Sequence, residues 1–249
     1  MIENKLIAHR GWQRQFPENT LLSVNEALKI GAKHIEIDIQ LTADEVPVLC
    51  HDQHLQRVSN VTGNINFLSL NQLSSLNSYE PQRFGKRFIK NPFSSLSECV
   101  DLIAKYNDVT LYVEIKEESL KTFGHERMVS AVLPLLEKIK SQCVIISFDI
   151  EILQLFNRYH WLRVAPVLSN WQQAFSLEIK NLQPILLFCD IKLFTAEYTP
   201  LELPYLCAIY EINSYSQAQQ LLKQGAALIE SFAIGELINE DRANVKSLN

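Results

Sequence analysis

Short, apolar, β-rich runs recur along this chain of 249 residues with amphipathic stretches between them, and their spacing narrows the fold more than any other property. Runs at 6–9, 34–40, 109–116, 143–148, 163–168, 185–189, 206–212 and 226–231 read as strands. Helical periodicity is clearest at 21–30 behind an Asn19-Thr20 cap, at 96–106, at 126–139, and at 215–223, where Gly225 closes the segment. From the fourth strand onward the strand centres fall about 20 residues apart, room for one crossover helix and its loops. Eight parallel strands joined by right-handed crossovers predict an α/β fold of the (β/α)8 TIM-barrel type. An open doubly wound sheet is the rival, but it usually carries its ligand on a glycine-rich first turn. Only 7 residues are glycine, and no two lie closer than Gly225 and Gly235, so neither G-x-G-x-x-G nor a P-loop is present.

Two intervals break the repeat. The distance from Asp52 to Asp108 is too long for one helix and predicts a small insertion at about 53–92, after the second strand, followed by a helix. The stretch 194–204 contains Pro200 and Pro204 and has room for little more than a turn of helix. With no linker or low-complexity segment, residues 1–249 read as a single domain.

Acidic residues number 28 against 23 basic ones, a net charge of −5, so there is no basic field of the kind that recruits nucleic acid. The five cysteines are widely spaced, lie mostly in apolar runs and form no C-x-x-C pair. They read as reduced core residues of a reducing compartment, not as a disulfide framework or a zinc site. The first residues lack the apolar stretch of a signal peptide, and no segment approaches the ~18 consecutive apolar residues that span a bilayer. These features predict a cytoplasmic protein without stable membrane association; the oligomeric state stays open.

The informative residues are charges where a barrel interior should be apolar. In His34-Ile-Glu-Ile-Asp-Ile-Gln-Leu, Ile35, Ile37, Ile39 and Leu41 face one way, whereas Glu36, Asp38 and Gln40 face the other. Alternation puts the two carboxylates on one side, roughly 7 Å apart. In Val109-Thr-Leu-Tyr-Val-Glu-Ile-Lys the same rule groups Tyr112, Glu114 and Lys116. Three inward carboxylates on neighbouring strands repel one another unless a cation holds them, and they suit one hard divalent ion, Mg²⁺ or Ca²⁺. His9 ends the first strand and His51 ends a short return strand after the Thr42-Ala-Asp-Glu turn. Imidazoles bracketing an acidic cluster can serve as base and acid in turn, and Arg10 and Lys116 can hold a phosphate diester.

These residues occur in the motifs His9-Arg10-Gly11, Pro17-Glu18-Asn19-Thr20, Glu36-Ile-Asp38, Thr42-x-Asp44, Val48-x-x-His51-Asp52 and Val113-Glu114-Ile-Lys116. In their order and spacing the chain resembles the glycerophosphodiester phosphodiesterase family, closest to its short cytoplasmic bacterial type. The resemblance implies metal-dependent hydrolysis of a small-molecule glycerophosphodiester to an alcohol and sn-glycerol 3-phosphate, by attack of the neighbouring glycerol hydroxyl and passage through a cyclic phosphate. It makes Glu36, Asp38 and Glu114 the metal ligands, His9 and His51 the acid and base, and Arg10, Lys116, Glu18 and Tyr210 the substrate and phosphate group. Within that group, Glu18 can instead orient Arg10 or a histidine, and Tyr210 can offer an aromatic wall to the glycerol. The chain departs from the family pattern at Glu45, where glycine is usual, at Tyr210-Glu211-Ile212-Asn213, and at Glu230-Ser231-Phe232. These departures are expected to spare the catalytic set and to bear on substrate preference. The alternatives are a lysophospholipase D-like enzyme, which needs an apolar groove for an acyl chain, and a non-catalytic phosphodiester-binding module.

Overall fold

The computed structural model describes residues 1–195 and 198–246. Its strands are β1 (Leu6–Ala8), β2 (His34–Leu41), β3 (Pro47–Leu49), β4 (Thr110–Ile115), β5 (Cys143–Ser147), β6 (Val164–Leu168), β7 (Leu187–Asp190), β8 (Cys207–Tyr210) and β9 (Leu228–Ser231). All except β3 pair in parallel, and β9 returns to β1, which also pairs with β2, so the sheet closes into an eight-stranded barrel. β3 lies antiparallel to β2, as the return strand ahead of His51 requires.

Alternation along each strand builds two cores. Ile35, Ile37, Ile39 and Leu41 join the outer core with the surrounding helices. Ile7, Tyr112, Val144, Ile146, Ala165, Val167, Phe188 and Ala208 fill the barrel interior. Each fully buried aliphatic side chain contributes about 1.5–3 kcal/mol, so a one-residue slip of β2 would expose its isoleucines and is strongly disfavoured. With the register fixed by the outer face, the inner face of β2 has to carry Glu36, Asp38 and Gln40, and all three are buried.

Helix Leu21–Ile30 starts at a capping box between Thr20 and Ser23 and stops at left-handed Gly31. The segment expected at 126–139 is a helix over His125–Leu136 that tightens into a 3-10 turn over Glu137–Gln142, with Pro134 inside its last turn. The helix expected at 215–223 is Tyr215–Lys223, and Glu117–Phe123, Ile150–Arg158, Leu177–Leu182 and Ile234–Lys246 are further helices of the outer layer. In the expected turn at 194–204 the described structure is a single 3-10 turn, Pro200–Glu202; residues 196 and 197 lie outside the described residues.

Between β3 and helix Leu96–Ile103 the chain makes short helices at Gln56–Ser59, Leu70–Leu73 and Pro81–Phe84. Val48, Cys50, Leu55, Val58, Ile65 and Leu73 give this region its own small core. The stretch Asn64-Ile-Asn-Phe-Leu contributes Ile65 to that core and leaves Phe67 exposed. The region also carries Arg57, Glu80 and Arg83 to the first βα loop. All five cysteines are buried and unpaired. Among the described residues no helix is long and apolar enough to cross a membrane.

Candidate active site

The inward acids and the histidines meet at the C-terminal ends of the strands. Parallel register sets Asp38 beside Glu114. One oxygen from each of Glu36, Asp38 and Glu114 lies within 4.8 Å of the others. Glu36 Oε1 and Asp38 Oδ1 are buried and have no hydrogen-bond partner. Burial, followed by the charges of Asp38, Glu230 and Glu114, drives the Glu36 carboxyl well above the usual carboxylate range. Burial acts in the same sense on Asp38, but the nearby Arg10 and Lys116 outweigh it and hold that carboxyl far below its ordinary value. An all-oxygen donor set with two orphaned lone-pair atoms, too acidic for its local cations, fits a hard divalent ion.

Asn19 fixes Asp38 from both sides, donating from Nδ2 to Oδ2 at 2.8 Å and accepting the Asp38 N–H at 3.0 Å. Lys116 Nζ stands 2.8 Å from Glu114 Oε1 and 3.5 Å from Asp38 Oδ1.

Arg10 and Gly11 both have positive φ, 56° and 78°, which turns the chain sharply after β1. Glycine is required at the second position, since a Cβ there would lie 2.5 Å from Ser23 Oγ. The turn lets the Arg10 N–H donate to Glu36 Oε2 at 3.0 Å and sets its Nε 3.0 Å from Asp38 Oδ2. His51 hydrogen-bonds through Nδ1 with Asp52 at 2.7 Å, and Arg57 Nε in turn donates to Asp52 at 2.6 Å. His9, Arg10, His51, Glu114 and Lys116 line one cavity of about 150 Å³, walled by Phe148, Phe188 and Tyr210.

Glu18 is not part of that lining. Its side chain sits behind Arg10, accepting from Arg10 Nη1 at 2.9 Å, from Arg57 Nη1 and Nη2 at 2.8 and 2.6 Å, and from Gln13 at 2.5 Å. Both of its oxygens are engaged by these side chains. The contact with Arg10 is the one that the orienting reading of Glu18 expects. Glu45, the other departure near the site, takes the left-handed turn conformation with φ 59°.

The departures late in the chain lie against one of the two histidines, His9. Glu211 Oε2 hydrogen-bonds with His9 Nδ1, and its Oε1 accepts the Phe232 N–H at 2.9 Å. The His9 ring stacks on Phe232 with centroids 4.8 Å apart. Glu230 is buried on the cavity wall and forms a second group with His9 and Glu36, again with ligand atoms within 4.8 Å of one another. Burial, opposed by His9 and reinforced by Glu211 and Glu114, pushes the Glu230 carboxyl up to about 8. Burial opposes a charge on His9, yet Glu230 and Glu211 more than offset it and raise the imidazole above its usual value. The position of Glu230 was legible, because Leu228 packs against the interior core and the residue two places on shares its face. That of Glu211 was not, since it lies past the end of β8 where alternation no longer applies.

A closed parallel barrel with acids, histidines and cations gathered at its C-terminal mouth has the layout of a TIM-barrel enzyme. Residues 9–187 match the Glycerophosphoryl diester phosphodiesterase family, and the chain belongs to that family. Glycerophosphodiester phosphodiesterase 1 of Mus musculus is 35% identical over 127 residues, which cover 51% of this chain and 36% of the mouse protein. The chain thus spans little more than a third of the length of that relative. A Glycerophosphodiester phosphodiesterase of Caldanaerobacter subterraneus subsp. tengcongensis is 27% identical over 186 residues, 72% of this chain and 74% of that protein. Among solved structures, an Oleispira antarctica phosphodiesterase in complex with the product sn-glycerol-3-phosphate is 26% identical and superimposes with a TM-score of 0.81 over 94% of each chain.

Proposed function

We propose that this chain hydrolyses glycerophosphodiesters to an alcohol and sn-glycerol 3-phosphate. The observation that carries the reading is the group of Glu36, Asp38 and Glu114, with two orphaned buried oxygens, set on the same cavity as His9 and His51. We read residues 1–249 as one catalytic domain in which 53–92 is an insertion that braces the first βα loop. The buried, unpaired cysteines support a cytoplasmic setting.

Glu36, Asp38 and Glu114 would hold the cation, Mg²⁺ or Ca²⁺. When bound, it supplies Lewis-acid polarisation of a phosphate oxygen and acidifies a neighbouring hydroxyl. Arg10 and Lys116 hold the phosphodiester, Arg10 kept in place by Glu18 and Lys116 turning from Glu114 towards the phosphate. One histidine removes the proton of the glycerol hydroxyl next to the phosphate, and the hydroxyl attacks phosphorus within the same molecule, which avoids the entropic penalty of recruiting water. The other histidine protonates the leaving alkoxide, and water then opens the cyclic phosphate with the roles exchanged. Asp52 on His51 and Glu211 on His9 fix which ring nitrogen faces the substrate. Tyr210 and Phe188 wall the glycerol end. A cavity of about 150 Å³ is below the ~300 Å³ at which drug-sized ligands are enclosed, so it would take the phosphate and glycerol end of a substrate, with any longer group lying outside it.

The test is turnover of glycerophosphocholine and lysophosphatidylcholine by the purified chain, with and without chelator. Expected are chelator-sensitive release of sn-glycerol 3-phosphate and its loss in both His9→Ala and His51→Ala. Full activity in either variant removes that histidine from the mechanism, and faster release of choline from the lipid replaces the substrate assignment.

A further inference from the structure

The three-carboxylate group leaves one buried acid at the barrel mouth unexplained. Glu230 is 3% exposed, and its Oε1 is buried without a hydrogen-bond partner. Glu230 offers one carboxylate oxygen to the group in which one ligand atom each of His9, Glu36 and Glu230 lie within 4.8 Å of one another. A carboxylate taken out of water in this way costs several kcal/mol unless a proton or a cation meets it.

The histidine in this group is prepared for a ligand. His9 Nε2 is 3.8 Å from Glu36 Oε2, while Nδ1 on the far side of the ring is bonded to Glu211, itself held by the Phe232 N–H. When Nδ1 carries the proton, the Nε2 lone pair is free on the side of Glu36. A carboxylate behind an imidazole in this manner orients it and raises its basicity as a metal ligand. The donor set also differs in kind from the first group. Three carboxylates suit hard cations, whereas one imidazole nitrogen with two carboxylates suits Zn²⁺. A tetrahedral ion with bonds of about 2.0 Å holds its ligand atoms roughly 3.3 Å apart, so His9 and Glu36 need close by only about half an ångström.

We propose that His9, Glu36 and Glu230 form a second cation site, selective for an imidazole-seeking divalent ion such as Zn²⁺, and that its occupation inhibits hydrolysis. The inhibitory half rests on the function proposed above; the binding half does not. An ion on Nε2 occupies the lone pair that proton transfer uses, and it draws Glu36 out of the first group.

The experiment takes the metal-stripped full chain, reloads it with Mg²⁺ and titrates Zn²⁺ by calorimetry, with the zinc X-ray absorption spectrum recorded at one equivalent. Expected are one Zn²⁺ per chain and an imidazole nitrogen among its ligands. Glu230→Gln is expected to weaken Zn²⁺ at least about tenfold, and Glu211→Gln, which alters a residue behind the ligand, about 10–100-fold. The Zn²⁺ concentration that halves glycerophosphocholine hydrolysis, taken against each variant's own zinc-free rate, should move in parallel. A ligand shell without imidazole, or Zn²⁺ affinity unchanged in Glu230→Gln, overturns the site. Should that variant not fold, Glu211→Gln decides, and unchanged affinity there overturns it equally. Zn²⁺ bound through His9 without inhibition overturns the inhibitory half. A zinc-free chain that hydrolyses nothing overturns the proposed function and leaves the binding site standing.

Discussion

Replacing Glu18 by glutamine tests the bracing of the site by the 53–92 region. Glu18 is 2% exposed and sits between two guanidinium groups. Burial by itself pushes its carboxyl up, but the Arg57 hydrogen bonds and the charges of Arg10 and Arg57 prevail, and its pKa falls from 4.5 to about 2. At about 1.4 kcal/mol per pH unit that displacement is worth about 3 kcal/mol of folded-state stability. Because the folded value is the depressed one, the contribution is complete above about pH 4.5 and is lost as the pH falls towards 2. Glu18→Gln keeps the volume but removes the carboxylate that the two arginines share, leaving Arg10 with Asp38 and Arg57 with Asp52, and breaking a buried pair from one side costs about 3–5 kcal/mol. Urea unfolding followed by circular dichroism should therefore show a wild-type-minus-variant gap of about 3–5 kcal/mol at pH 7, unchanged to about pH 5 and narrowing by about 3 kcal/mol at about pH 2.5. Taking the difference between two proteins cancels the titration of the other buried acids. A gap below about 1 kcal/mol at pH 7, or one that fails to narrow on acidification, would refute the argument, since either outcome means that the guanidinium groups do not stabilise a charged Glu18.

Three further outcomes follow from single contacts. Asn19→Gly suits the positive φ of 51° but removes both hydrogen bonds to Asp38, so it should lower stability by about 1–3 kcal/mol and weaken Mg²⁺ about 10–100-fold by calorimetry; equal Mg²⁺ affinity would separate Asn19 from the cation group. Gly11→Ala drives a methyl group into Ser23 at a residue with φ 78° and should cost at least about 2 kcal/mol in urea unfolding, with a loss of turnover as His9 and Arg10 move. Lys116→Met should reduce kcat about 10²–10³-fold if its ammonium stabilises charge on the phosphate; a loss under about threefold would make Lys116 merely a counter-ion of Asp38 and Glu114.

Much of this molecule is readable without coordinates because a parallel barrel imposes two periodicities at once. The spacing of strands and helices predicts closure, and the observed strands Cys143–Ser147, Val164–Leu168, Leu187–Asp190, Cys207–Tyr210 and Leu228–Ser231 fall within the expected runs or one residue beyond them. Alternation within a strand places Glu36, Asp38 and Glu114 inward, since burying the isoleucines on the opposite face leaves no other register. Helix Ile150–Arg158 escaped the clearest periodicity, yet the strand spacing already required a connection there, whereas Ile234–Lys246 follows the last strand and no spacing announces it.

The sequence by itself determined the barrel, the inward acids and the two histidines at strand ends, because each depends on a local repeat or on the two-residue period of a strand. Tertiary structure alone decided what stands behind those groups. Glu18 belongs to Arg10 and Arg57, Asn19 to Asp38, and Glu211 to His9. Glu211 is 202 residues away from its partner and Arg57 is 39 from Glu18. Such pairings are set by how the barrel closes and by where its irregular loops lie, and irregular backbone carries no period from which a side chain's direction can be read.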